Sequence, residues 1–305
     1  MTRVKQFIDI HAHAYWKPSR APYITKFYST TQLLEAYDYY GIEKGVLLPV
    51  VNPEVYLPQT NEDILDMAAA YPDRFIPFCN IDPRSVKNDP TAPIDQVFQY
   101  YKDLGCKGIG EVMPNLEVMD PKVQNLFRCA EKVGLSVTYD GAAYKDNCFG
   151  LYDDPGLPQL EATLQKCPNL IILGHGPVFW SEIGKLDTLG VRGPVRGFDH
   201  YSVLRLPEGP IKEEGIMPKL LRKYPNLHLD LSDGTAYNAL TRDPEYGPAF
   251  LEEFQDRAYF GTDLCSVGME VPLVDTLWQW KDEGRISKEA FEKISRENAI
   301  RLLKL

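Results

Sequence analysis

The chain has 305 residues, a formal net charge of -10 at pH 7, 44% hydrophobic residues and 25% charged residues. This composition is typical of a soluble globular protein. The acidic balance argues against nucleic acid or an anionic membrane as the partner, because both attract a basic surface. The composition leaves a homo-oligomer open.

Targeting signals and cysteine motifs are absent from the sequence. No apolar run reaches about 18 residues, so we expect no transmembrane helix. The apolar stretch near the N-terminus is too short for a signal peptide, which favours a cytoplasmic protein. The six cysteines form no CxxC pair and are interpreted as scattered free thiols rather than a zinc finger.

Eight strand-like segments alternate with helical segments along the chain. The predicted strands cover residues 7–13, 45–50, 74–82, 107–112, 135–140, 170–175, 226–232 and 258–263. Helices are predicted over 31–40, 61–70, 121–133, 216–224 and 286–303. Asn61 and Ser287 are candidate N-caps. Asp120 and Gly134 are predicted to begin and end the helix that starts at Pro121.

The alternation predicts an α/β fold with a parallel sheet and right-handed crossovers. Eight such units in a chain of this length favour a closed (β/α)8 barrel, the TIM barrel. An open doubly wound sheet is the alternative, although no GxGxxG motif follows the first strand. Since no linker or compositional break is visible, we expect a single domain over residues 1–305.

Residues 176–215, after the sixth strand, form a long excursion that does not fit this alternation. Long loops in compact domains are usually functional or disordered. We interpret the excursion as a lid or substrate-binding segment, with a surface elaboration or a subunit contact as the alternative. Its aromatic, histidine and arginine residues are Phe179, Trp180, Arg192, Arg196, His200, Tyr201 and Arg205.

His11 and His13 close the first predicted strand and suit a shared metal ion. Residues i and i+2 of a strand point to the same side, so both imidazoles leave one face. In a β/α barrel the reactive groups lie at the C-terminal ends of the strands. Four further strand ends offer side chains able to bind a metal, namely Glu111, Asp140, His175 and Asp263.

Strand phase indicates which polar side chains face the barrel interior. Asp140 shares its phase with Ser136 and Thr138, opposite an apolar set, and is expected to face inward. In the seventh strand, leucines alternate with the polar residues His228, Asp230 and Ser232. His228 lies early in that strand, away from the active face, and is interpreted as structural.

Four phrases together resemble the amidohydrolase superfamily, in its amidohydrolase 2 branch. They are FIDIHAH at the start, LIILGHG in the sixth strand, FGTD in the eighth and ENAIRLLKL at the C-terminus. Their order and spacing match the family across nearly the full chain, whereas HxH alone is a weak signal. The resemblance implies a metal-dependent hydrolase with a TIM-barrel fold.

By this resemblance, His11 and His13 bind a divalent metal, expected to be zinc, as one or two ions. Asp263 would be a further ligand or a general base, and His175 a ligand or a group that polarises the substrate. Zinc takes histidine and carboxylate ligands and keeps a position for water, whose pKa it lowers. The same ligands also accept manganese, iron, nickel and cobalt.

The fifth strand departs from the family pattern. Asp140 in GLSVTYD stands where many members carry a histidine, which is a metal ligand in the decarboxylases of this branch. This weakens the decarboxylase interpretation and a standard two-metal site. Glu111 is expected to compensate as a ligand or as a bridge between two ions, with a surface-loop glutamate as the alternative. Asp140 would then be a second-site ligand or a substrate contact.

The sequence therefore predicts a metal-dependent hydrolase of a small-molecule amide, ester or lactone that uses metal-activated water. Asp263 and His175 are the expected catalytic residues. A decarboxylase or hydratase of a small organic acid on the same scaffold is the alternative, and a non-catalytic metal-binding protein is a third hypothesis. Trp16, Trp180 and His200 are candidate substrate contacts, with packing under loops or a solvated histidine as the alternatives.

Overall fold

The computed structural model of the chain describes residues 3–17, 27–55, 59–146, 148–188, 192–194 and 204–305. Eight strands form its centre. They are β1 (Phe7–Ala12), β2 (Ile42–Leu47), β3 (Phe75–Pro77), β4 (Gly108–Val112), β5 (Ser136–Ala142), β6 (Ile172–His175), β7 (Leu227–Asp230) and β8 (Ala258–Tyr259). Two-residue strands also occur at Leu151–Tyr152, Gly193–Pro194 and Leu204–Arg205.

The central strands are parallel and follow chain order around a closed barrel. One run pairs β1, β2 and β3, and a second pairs β4 to β8. Backbone hydrogen bonds join the two runs at both edges. Cys79 donates to Gly108 on one side, while Ile10 donates to Phe260 and Asp263 donates to His11 on the other. The predicted (β/α)8 barrel is therefore confirmed. The strands do not form the alternative, an open doubly wound sheet.

Helices follow the strands on the outside of the barrel. They are α1 (Thr30–Tyr40), α2 (Asn61–Ala70), α3 (Ile94–Asp103), α4 (Pro121–Val133), α5 (Pro158–Lys166), α6 (Gly176–Ser181), α7 (Ile216–Lys223), α8 (Asp233–Thr241), α9 (Tyr246–Glu253), α10 (Pro272–Asp282), α11 (Lys288–Glu292) and α12 (Asn298–Leu303). A 3-10 turn covers Gln255–Arg257, and a π-helical turn, Lys293–Glu297, joins α11 to α12. Within the described ranges, no helix is both long and apolar enough to cross a bilayer.

Helix caps follow the sequence signals with one correction. Asp120 caps α4 and Gly134 ends it in the left-handed conformation, as predicted. Ser287 caps α11. The N-cap of α2, however, is Thr60 and not Asn61. The Asn61 side chain instead accepts from the Asn80 amide and donates to the Asn80 carbonyl, so it anchors the loop that follows β3.

Two apolar clusters hold the barrel and its helices together. The larger cluster packs the helices against the outer faces of the strands. The smaller one combines strand residues from both runs with Ala299 and Leu303 of α12, so it fills the end of the barrel opposite the strand C-termini. Its members in the strands or directly after them include Ile8, Ile10, Val46, Leu48, Ile76, Phe78 and Leu173. The strand C-termini at the other end of the barrel carry the polar residues predicted for the site.

The first part of the excursion after β6 belongs to the folded body. Phe179 and Trp180 of α6 are fully buried in the larger cluster. Arg192 is also buried, where its guanidinium donates to the carbonyls of Asp153 and Asp154 and lies beside Glu182. Arg196, His200 and Tyr201 lie outside the described residues. The lid interpretation of the excursion stays a prediction.

A glycine in β6 tests the packing that fixes the strand before His175. A Cβ at Gly174 would overlap the ring of Phe179, which is fully buried and cannot move aside. We expect Gly174→Ala to lower the free energy of unfolding by about 1–3 kcal/mol in urea titrations, as overpacking does. Gly234→Ala is the matched control, because its Cβ would meet nothing within 4 Å among the described residues outside its own helix and chain neighbours. Equal stability of the two variants would contradict the packing described.

His228 makes the fold acid-sensitive at the closed end of the barrel. Burial and then Arg257 lower its pKa to about 4, while its ring contacts the Tyr259 hydroxyl at 2.8 Å. The unfolded chain binds a proton near pH 6.5 and the folded chain does not, so stability falls as pH drops from about 6.5 to 4. Between pH 7 and 4.5, wild type should lose about 1–3 kcal/mol more than His228→Gln. Equal losses in the two proteins would argue against this origin.

Candidate metal centre

The predicted strand-end residues meet in one buried site at the C-terminal end of the barrel. His11 and His13 stand at the end of β1, and Glu111 projects from β4. His175 ends β6, and Asp263 follows β8. The three histidines and Glu111 are at most 5% exposed, whereas the Asp263 side chain is 21% exposed. Asp263 therefore lies on the solvent side of the site.

Four donor atoms in this site face one another. The Nε2 atoms of His11 and His13 lie 3.1 Å apart. Glu111 Oε2 is 3.6 Å from His11 Nε2 and 3.5 Å from His13 Nε2. Asp263 Oδ1 is 3.5 Å from each of the same two nitrogens. His175 Nε2 lies 3.5 Å from the other Glu111 oxygen, Oε1.

These spacings fit a divalent metal ion. Ligand atoms about 2.0–2.2 Å from zinc at tetrahedral angles lie about 3.3–3.6 Å from one another. Every distance among the four donors given above is within about 0.2 Å of that range. The donor set of imidazole nitrogens and carboxylate oxygens is also one that zinc accepts. The potential ligands form two groups that share His11, namely His11 with His13 and Asp263, and His11 with Glu111 and His175.

The second nitrogen of each histidine is held by a fixed partner. His11 Nδ1 lies 2.7 Å from Asp230 Oδ2, and His13 Nδ1 donates to the Leu48 carbonyl at 2.9 Å. His175 Nδ1 lies 2.9 Å from the Ser232 hydroxyl. Such contacts orient the rings of metal-binding histidines and leave the other nitrogen free for the ion. All three Nε2 atoms consequently face the same space.

The electrostatics of the site favour a bound cation. Burial raises the pKa of Asp263 to about 7 against the opposing effect of the nearby histidines. Burial and the charge of Glu111 raise the pKa of Asp140 well above its usual range. Burial also acts against ionised Glu111, yet neighbouring His11 keeps the pKa of that carboxyl well below its usual range. The carboxyl groups of Glu111, Asp140 and Asp263 thus interact with one another where little positive charge is present. A divalent ion would supply that positive charge.

Asp140 is beside this site but is not among its close donors. It is 3% exposed at β5, and its nearest acidic neighbours include Glu111 and Asp263. Within the described ranges, neither group of potential ligands contains it. Its role as a second-site ligand or substrate contact stays a prediction.

The two tryptophans proposed as substrate contacts have different surroundings. Trp16, which follows β1, is 37% exposed. Trp180 is fully buried, and its indole N–H donates to the Asp230 carbonyl at 3.1 Å, so it supports the end of β7. His200 lies outside the described residues.

Asp9 is a functional neighbour that strand-end reasoning did not select. Its buried carboxylate accepts from the His11 amide, from the amide and hydroxyl of Thr262, and from the Tyr37 hydroxyl. These bonds tie β1 to the segment that carries Asp263. The signal was the phase of FIDIHAH, in which Asp9 shares the face of His11.

A (β/α)8 barrel with histidine and carboxylate donors gathered at its strand C-termini defines a metal-dependent barrel enzyme. The comparison of the sequence with known families agrees. The amidohydrolase family, in its amidohydrolase 2 form, matches residues 8–305, and the chain belongs to this family of metal-dependent enzymes. No curated protein matches the sequence.

Several solved structures share the fold at low sequence identity. An uncharacterised TIM-barrel protein from Bordetella bronchiseptica has 19% identity and a TM-score of 0.61, covering 98% of both chains. A probable 2-pyrone-4,6-dicarboxylic acid hydrolase from Acinetobacter baumannii has 15% identity and a TM-score of 0.57, covering 98% of this chain and 100% of that one. A 5-carboxyvanillate decarboxylase from Novosphingobium aromaticivorans, complexed with manganese, has 15% identity and a TM-score of 0.58, covering 98% and 96%.

Metal binding should be visible in thermal stability. A ligand that binds only the folded state adds RT ln(1 + [L]/Kd), which is about 4 kcal/mol at 1,000 times Kd. We expect zinc to raise the Tm of the chelator-treated protein in differential scanning calorimetry. His13→Ala should abolish most of this rise, whereas the matched control His228→Gln should retain it. A rise of equal size in His13→Ala would show that zinc binds elsewhere.

Proposed function

We propose that the protein is a hydrolase of a small-molecule amide, ester or lactone and that it depends on a divalent metal ion. The observation that carries this proposal is the donor set itself. His11, His13 and Glu111 approach from the buried side at metal-ligand spacing, and Asp263 closes the set on the solvent side. A polar group next to an accessible coordination position is what activation of water requires.

His11, His13 and Glu111 would hold the ion, with Asp263 as a further ligand or as the group beside the reacting water. When bound, a divalent ion lowers the pKa of water towards neutrality and so provides a nucleophile at physiological pH. Zinc fits the donor types and spacing. Manganese is the second candidate metal, because the structurally similar carboxyvanillate decarboxylase contains it.

Asp263 is proposed to move the proton. Its carboxylate oxygen lies 3.5 Å from both His11 Nε2 and His13 Nε2 and is the most exposed of the site's donors. It can therefore reach a water molecule that enters from solvent, accept its proton and pass that proton to the leaving group. His175 stands on the opposite side of Glu111 and is proposed to complete the site as a ligand or to polarise the substrate.

A decarboxylase or hydratase on the same scaffold is the second candidate function. It is favoured by the likeness to the carboxyvanillate decarboxylase. Arg192 of the excursion, a candidate partner for a substrate carboxylate, is however already buried against Glu182 and two carbonyls. Asp140 also stands where the family resemblance implies a histidine ligand in the decarboxylases. The hydrolase is therefore the preferred proposal.

A substrate panel tests the reaction class. Metal-loaded protein should release acid from one or more amides, esters or lactones, with activity lost on chelation and restored by added zinc or manganese. Carbon dioxide release from aromatic or small organic acids, with none of these hydrolyses, would support the lyase instead.

Replacement of Asp263 tests its role in proton transfer. We expect Asp263→Asn to lower kcat by about 100-fold or more, because general base catalysis contributes about 100- to 10,000-fold. Part of the bound metal should remain, as counted by elemental analysis, since three other donors are intact. Asp282→Asn, the same change at an exposed carboxylate with 69% exposure, is the matched control. Full activity of Asp263→Asn would refute the assignment.

A further inference from the structure

A third apolar cluster stands apart from the two that hold the barrel and its helices together. Val50 and Met113 are its buried members, and Tyr15, Phe27 and Val55 pack against them while half-buried. Within the described ranges, none of the five belongs to either larger cluster. Packing of the helices against the strands therefore does not account for these residues, which we call the mouth cluster.

The mouth cluster lies at the end of the barrel that carries the metal-ligand candidates. One member stands two residues beyond His13, and another stands two residues beyond Glu111. All members come from segments that follow strand C-termini, namely Tyr15 and Phe27 after β1, Val50 and Val55 after β2, and Met113 after β4. The cluster therefore occupies the rim of the barrel from β1 to β4.

Hydrogen bonds tie the buried part of the mouth cluster to the metal centre. His13 Nδ1 donates to the Leu48 carbonyl at 2.9 Å. The side-chain amide of Asn80 donates to the Glu111 carbonyl at 2.6 Å and to the Pro49 carbonyl at 3.4 Å. Leu48 and Pro49 are the two residues before one buried member, and Glu111 stands two residues before the other. Both buried members are thus within two residues, along the chain, of groups bonded to the site or to its anchor.

An ion-pair network orders the loop after β2, which supplies two of the five members. Arg84 donates to both carboxylate oxygens of Glu54, at 2.8 and 3.0 Å, and to both of Asp82, at 2.8 and 2.6 Å. Asn52 donates to the same Asp82 carboxylate at 2.7 Å. Glu54 directly precedes Val55, so this network holds the outer part of the cluster. A surface that is ordered before its ligand arrives loses less conformational entropy on binding.

The chemistry of the mouth cluster selects an apolar group. Its five side chains are aliphatic, thioether or aromatic, and none carries a formal charge at pH 7. The rings of Tyr15 and Phe27 meet edge to face, with centroids 5.6 Å apart. Such a surface gains free energy when it removes a hydrocarbon group from water. It offers no cation to a carboxylate, so a charged substituent would lose its hydration there without a charged partner.

We propose that the mouth cluster binds an apolar substituent of the substrate, so that the substrates are amides, esters or lactones with an aromatic or alkyl group beside the reacting carbonyl. The inference rests on the proposed function, because the metal centre would place the carbonyl next to this surface. Phe27 and Val55, which are half-buried, are the specificity-determining residues. Each further methylene buried on the cluster should tighten binding by about fourfold.

A pair of hydroxamates tests the proposal without turnover. Hydroxamates bind zinc through their oxygen atoms, a ligand type that zinc accepts. Acetohydroxamate and benzohydroxamate carry the same metal-binding group and differ in the substituent beside the carbonyl. In isothermal titration calorimetry of the zinc-loaded full chain, benzohydroxamate should bind about 10-fold or more tightly than acetohydroxamate.

The outcomes separate this inference from the proposed function. Equal affinities for the two hydroxamates would overturn the mouth cluster as a binding surface and leave the metal centre in place. Failure of both to bind would refute the metal centre and the inference with it. A clear preference for benzohydroxamate in protein that hydrolyses no substrate would refute the proposed reaction and leave the apolar binding surface standing.

Variants of the mouth cluster locate the preference. Phe27→Ala should weaken benzohydroxamate binding by about fivefold or more and leave acetohydroxamate binding unchanged, and Phe27→Leu should recover most of the loss. Val55→Thr keeps the shape of the side chain, adds a hydroxyl and should lower the preference without unfolding the loop. Tyr100→Ala is the matched control, because it removes a 59% exposed aromatic side chain on α3. Equal losses for both hydroxamates in Phe27→Ala, or an unchanged preference in both cluster positions, would overturn the assignment.

Discussion

The bonds between β1 and the segment after β8 are the constraint on which the site depends. Asp9 accepts hydrogen bonds from Thr262 and from the His11 amide, while the Asp263 amide donates to the His11 carbonyl. The same hydrogen bonds therefore close the barrel and bring the metal-ligand candidates His11 and Asp263 together. We call these bonds the β1–β8 seam. A change in the seam would move His11 relative to Asp263, because the bonded backbone groups belong to these two residues or to their close neighbours in the chain.

Charge explains why the remaining parts of the site are arranged as they are. Burial of the neighbouring carboxyl groups of Glu111, Asp140 and Asp263 is costly unless positive charge accompanies them. Histidines supply only part of this charge, and the guanidinium of Arg192 is engaged by Glu182 and the Asp153 carbonyl. Asp230 further commits His11 to metal binding by accepting its outer hydrogen. The charge balance of the site thus favours binding of a cation.

The sequence predicted the eight strands, the barrel and the ligand candidates, because each depends on short-range periodicity and on a rule about where strands end. His11, His13, Glu111, His175 and Asp263 meet as that rule requires. The rule about strand ends did not predict the contact between Asp230 and His11. The two residues are 219 positions apart in the chain, and their contact depends on side-chain geometry. Asn61 was a poor cap prediction because its side chain has a tertiary partner, Asn80, that no local pattern reveals.

The sequence separation of the residues that close the barrel has a consequence for folding during synthesis. The partners Asp9 and Thr262 are separated by 253 residues, and the closing apolar cluster includes Leu303, two residues from the end. During synthesis, His11 and His13 leave the ribosome long before Asp263 exists to pair with them. The ligand set is therefore completed only after Asp263 has been synthesised, and contacts of such long sequence separation slow folding. Until then the nascent barrel exposes an unpaired edge and an incomplete metal site.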